Sequence, residues 1–100
     1  MEIKKTAEGN AVILQLKGRL DTITSSQLEE ELEDVFSEEI VELTFDFSAL
    51  DYISSSGLRV LLSAQKKINN MGAKMKIIGA NEVVKEIFDA TGFTKIMDLS

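Results

Sequence analysis

One hundred residues, 44% hydrophobic and 28% charged, are enough for one domain with its own core, so residues 1–100 are expected to fold as a single unit. A net charge of −6 argues against a nucleic-acid binder, which needs clustered Lys and Arg, and suits a partner with a basic face. With neither cysteine nor histidine in the chain, disulfides, thiolate metal sites and the Ser-His triad are excluded.

Ile3 to Ala7 reads as a short first strand, and Glu8-Gly9-Asn10 as a turn. Val12, Leu14 and Leu16 then alternate onto one face, the period of a second strand, so the turn makes an antiparallel hairpin. Gly18 to Thr22 is expected to be a loop. A first helix is expected from about Thr24, with Thr24 and Gln27 at capping-box spacing and Leu28, Leu32, Val35 and Phe36 on its buried stripe. The acidic run Glu29, Glu30, Glu31, Glu33 and Asp34 reads as that helix's solvated face.

The clearest strand follows, where Val41, Leu43, Phe45 and Phe47 alternate with Glu42, Thr44 and Asp46. A loop is expected from Ser48 to Gly57, then a second helix to about Asn70 that buries Leu58, Leu61, Leu62 and Ile68 and stops at Gly72. Met75 to Ile78 reads as another strand ended by Gly79. Asn81 is placed to cap a third helix with Val84, Ile87 and Phe88 on one side, followed by Gly92. Phe93, Ile96, Met97 and Leu99 form a tail with the look of an edge strand.

The order predicts an α/β fold: a mixed, mostly parallel sheet of four to five strands with three to four packed helices, the first two strands antiparallel. In such sheets partners are met at the carboxyl ends of the parallel strands. Here those ends are the segments Gly18 to Thr22 and Ser48 to Gly57.

Ser54-Ser55-Ser56-Gly57 stands where a strand-derived loop becomes a helix. One serine is expected as the helix cap. The same position also suits a phosphoserine, because the first helical turn carries unpaired N–H groups and a partial positive charge. Gly57 is expected to leave room for another protein's active site to approach.

Gly18-Arg19-Leu20-Asp21, Phe45-Asp46-Phe47-Ser48 and Leu50-Asp51-Tyr52-Ile53-Ser54-Ser55-Ser56-Gly57-Leu58-Arg59-Val60-Leu61-Leu62 together resemble the signature of STAS-domain anti-sigma factor antagonists. The resemblance extends over essentially the whole chain, and the serine segment is its specific part. It implies a single STAS domain over residues 1–100, with Ser56 phosphorylated by an anti-sigma factor that is itself a serine kinase. Ser55 is the second choice. The unphosphorylated protein is expected to bind that kinase and free a sigma factor; a PP2C-type phosphatase restores it. ATP and magnesium then belong to the partner, and this chain needs no cofactor.

Asp21, Thr22, Ser54, Ser55, Ser56, Gly57 and Arg59 are the expected partner surface. Ser54 replaces an aspartate common in that family and supplies no charge. A cytoplasmic protein, monomeric when free, is expected, since no secretory signal, membrane-length apolar run or leftover apolar stripe is seen. A second class of function is a constitutive STAS subunit, for example of a lipid-transport ABC system. An enzyme is disfavoured: the serines lack a histidine base, and neither a G-x-S-x-G elbow nor a P-loop is present.

Overall fold

Alternating apolar residues build the sheet, and the computed structural model describes it over residues 1–95 and, as backbone, 98 and 99. The elements are β1 (Glu2–Glu8), β2 (Ala11–Leu20), α1 (Thr22–Phe36), β3 (Glu42–Ile53), α2 (Ser55–Met71), β4 (Lys74–Ile78), α3 (Glu82–Thr91), a 3-10 turn (Phe93–Lys95) and β5 (Asp98–Leu99). The five strands lie in the order β1-β2-β3-β4-β5. β1 runs antiparallel to β2, and every later pairing is parallel. The fold class is the one expected.

Val12, Leu14, Leu16 and Leu20 of β2 are buried together with Leu43, Phe45 and Phe47 of β3 and Met75 and Ile77 of β4. Their neighbours on the opposite face, such as Ile13, Gln15, Lys17, Asp46 and Lys76, are exposed or half-buried. The helices therefore cover one face of the sheet. α1 contributes Leu28, Leu32 and Val35 to that core, and α2 contributes Leu58, Val60, Leu61, Ala64 and Ile68. Phe88 of α3 stacks on Phe47 at 6.4 Å, while Phe93 meets Phe88 edge-on at 6.5 Å.

Both expected loops are shorter than the sequence suggested. β2 continues to Leu20 and β3 to Ile53, leaving only Asp21 and Ser54 between strand and helix. The reason is two bulges: Gln15 faces Asp46 but Lys17 faces Ala49, and Gly18 faces Leu50 but Arg19 faces Tyr52. Each bulge adds one residue to β3 and lengthens the interval between buried positions from two to three. Phe47, Leu50 and Ile53 thus stay on the core side although the two-residue alternation ends at Phe47.

α1 also starts earlier than expected. Asp21, not Thr24, is the cap: its carboxylate accepts from the N–H groups of Ile23 (3.1 Å) and Thr24 (3.0 Å). Thr24 returns the bond, its hydroxyl accepting from the Asp21 N–H at 2.8 Å, so the capping box is Asp21–Thr24 rather than Thr24–Gln27. Two expected core positions, Phe36 and Leu62, are half-buried. Asn81 caps α3 through the Val84 N–H at 2.9 Å, and Gly72 and Gly92 end α2 and α3 in the left-handed conformation, as expected. β5 gives an edge strand at Leu99, opposite Ile77, while Phe93 of the expected tail lies in the 3-10 turn instead. Ile96 and Met97 of the expected tail lie outside the described residues.

Candidate functional site

The parallel pairing of β2 and β3 brings their carboxyl ends together, and the Ser54 N–H donates to the Leu20 carbonyl at 2.8 Å. Each strand then turns into a helix through one residue, so α1 and α2 begin side by side. Both caps are polar side chains: Asp21 on α1, and on α2 Ser54, whose Oγ accepts from the Gly57 N–H at 3.3 Å. Ser54 therefore takes the capping role expected of one serine in the run.

That cap assigns the places of the next three residues. Ser55 is exposed, Ser56 is half-buried, and Gly57 is buried. Ser56 turns towards α1, where its Oγ lies 3.4 Å from the Thr22 Oγ1. Gly57 faces inward. A Cβ there would lie 2.7 Å from the Leu20 Cγ and 2.9 Å from the Ile53 Cγ1. The missing side chain makes room for the core, which corrects the expectation that it makes room for a partner. Gly57 thereby fixes how closely α2 sits on β2 and β3.

Asp21 is held ionised. The Thr24 backbone N–H, and then the Thr24 hydroxyl, bring its carboxyl below the usual carboxylate range, with a smaller contribution from the Arg19 charge. Arg19 itself lies over the Tyr52 ring, 4.6 Å from the centroid, where the two strands end.

From Thr22 and Ser56 a groove of about 450 Å³ runs between the helices. Leu32, Phe36, Val60 and Ala64 line it with apolar surface; Glu29 and Glu33 stand on the α1 side, and Arg59 and Lys67 on the α2 side. Of the residues expected to form the site, Thr22, Ser56 and Arg59 line this groove, while Asp21, Ser54 and Ser55 sit at the helix starts beside it. Glu29, Glu33, Ser63 and Lys67 were not expected there. A helical-stripe reading of each helix hints at them, but only the pairing of α1 with α2 puts the two stripes face to face.

The chemistry available to Ser56 is that of a hydroxyl beside another hydroxyl. Among the described residues no cluster of three acidic side chains could hold a metal, and no helix is long and apolar enough to cross a membrane.

Comparison with known proteins agrees with this architecture. The STAS domain family model matches residues 2–100. The chain is 28% identical over 100 residues to the anti-sigma F factor antagonist of Paenibacillus polymyxa, covering 99% of this chain and 86% of that protein. It is 29% identical over 94 residues to the anti-sigma-F factor antagonist RsfB of Mycobacterium tuberculosis, covering 93% and 76%. Among solved structures, the anti-sigma factor antagonist SpoIIAA in its unphosphorylated form superposes with a TM-score of 0.87 at 16% identity, over 99% of this chain and 88% of that one. The phosphorylated form of SpoIIAA, the Bacillus cell fate determinant, gives 0.78 at 15% identity, over 99% and 91%. An anti-sigma factor antagonist from Mycobacterium paratuberculosis gives 0.88 at 19%, over 98% and 83%. With its strand order, its paired helix starts and its full-length match, this chain belongs to the STAS domain family.

Proposed function

We propose that this chain is an anti-sigma factor antagonist, a binding module rather than a catalyst, switched by phosphorylation of Ser56. In its unmodified form it captures an anti-sigma factor that is also a serine kinase, and a sigma factor is released. The kinase then moves the γ-phosphoryl group of its ATP to the Ser56 Oγ, and the phosphoprotein lets go. A PP2C-type phosphatase removes the phosphate and resets the cycle. Such a circuit operates in the cytoplasm.

The observation that carries this reading is the position of Ser56. It is the second residue of a helix, half-exposed, beside Thr22 at the mouth of a groove and without a base of its own. A hydroxyl so placed is reachable by another protein's active site but is not an activated nucleophile. A phosphate there sits at the positive end of α2 and adds about −1.5 to −2 charges to the partner surface. Ser55 does not line the groove. Asp21, Thr22, Ser54, Ser55, Ser56 and Arg59 form the contact surface, and Gly57 supports it from below.

The test is a binding assay with the kinase purified from the same organism. Unmodified protein and Ser56→Ala are expected to bind with ADP present, and only the unmodified protein is expected to dissociate when ATP and magnesium are added. Equal release of Ser56→Ala would reject Ser56 as the switch; absence of binding by either would reject the antagonist reading.

A further inference from the structure

Arg59 stands one helical turn after Ser56 and lines the same groove. Residues three apart on a helix are neighbours, and Cα–Cβ bonds tilt towards the helix N-terminus, so Arg59 shares a face with Ser56 and its long side chain can reach it. Arg59 is exposed and, among the described residues, takes part in neither ion pair: those are Lys5–Glu38 and Lys76–Glu42. On the other side of Ser56, the Thr22 hydroxyl lies at 3.4 Å.

Resting on the reading of Ser56 as the phosphorylated residue, we infer that Arg59 is the internal counter-charge for the phosphate, with the Thr22 hydroxyl as a second donor. The other charged groups around the groove set the balance. Asp21, Glu29 and Glu33 of the α1 side oppose a phosphate, and Lys67 stands farther along α2. Arg59 is the cation of the groove nearest in sequence to Ser56. Phosphorylation therefore does two things at once. It places negative charge at the mouth of the groove and draws a basic side chain out of the surface offered to the partner. A planar guanidinium donates to two phosphate oxygens side by side, which the compact ammonium of lysine does not.

The test builds phosphoserine into position 56 during translation, so that no kinase is needed, and follows the phosphorus NMR shift with pH. A phosphoserine ordinarily titrates near about 6. The expected result is a lower midpoint in the otherwise native protein, rising by about half a pH unit or more in Arg59→Gln, with Arg59→Lys in between. Lys66→Gln, which removes a cation of α2 outside the groove, is expected to leave the midpoint unchanged. Equal midpoints in the native protein and Arg59→Gln would overturn the inference, as would an equal rise in Lys66→Gln. Either result leaves the switch at Ser56 untouched, whereas failure of the kinase assay would remove the switch without altering this titration.

Discussion

A methyl group at position 57 would lie 2.7 Å from the Leu20 Cγ and 2.9 Å from the Ile53 Cγ1, both buried core residues. Neither side chain can withdraw without disturbing the ends of β2 and β3. Gly57→Ala is therefore expected to lower stability by about 1–3 kcal/mol through overpacking, read as a drop in the urea midpoint. A stable Gly57→Ala with unchanged midpoint would show that α2 is free to lift. Asp21 gives a different signal at the same scale. Its carboxyl is held below the ordinary range in the folded protein by Thr24, so its contribution is present above the unfolded carboxylate range and is lost as pH falls through the folded value. Asp21→Asn is thus expected to lose stability at neutral pH, and the gap from the native protein to close as the solution is acidified below about pH 4. A gap that is constant with pH would mean that the carboxylate charge adds nothing to the cap. Neither role was visible locally. Gly-Arg-Leu-Asp reads as a loop until Leu20 is known to be buried, and a glycine after serines looks like a gap for a partner until Leu20 and Ile53 are seen to fill it.

Among the elements, β2 is legible as far as Leu16 because its buried positions recur every second residue, and Leu20 keeps the same parity. β3 is legible only to Phe47. Its two bulges then stretch the spacing to Leu50 and Ile53, a pattern that matches neither a strand nor a helix. The ends of α2 and α3 and the start of α3, by contrast, announce themselves: Gly72 and Gly92 take positive φ of 71° and 80°, and Asn81 caps α3. α3 owes its place to aromatic contact, since Phe88 is fully buried, stacks on Phe47 and meets Phe93 edge-on. Phe88→Ala is expected to cost about 3–5 kcal/mol, measured by chemical unfolding. It should leave the groove between α1 and α2 in place, because α3 contributes no residue to it. A loss below about 1 kcal/mol would mean that α3 is not a fixed part of the core.

At the scale of the whole molecule, the chain is a one-sided sheet whose paired helix starts present a hydroxyl, Ser56, at the head of a groove with an acidic and a basic wall. The α/β class followed from the order of elements, and the candidate site from the rule that partners meet the carboxyl ends of parallel strands. The groove did not, because Glu29 and Arg59 come together only through the packing of α1 on α2. Switching by phosphate at Ser56 is the central claim, and phosphosite mapping by mass spectrometry on the protein isolated from its own organism tests it most directly. Cells expressing Ser56→Ala serve as the control. Phosphate on Ser56, with no phosphate in the control, is the expected result. Phosphate confined to Ser55 would move the switch by one residue, and a protein unmodified through growth, starvation and stress would contradict it and favour a constitutive binding subunit.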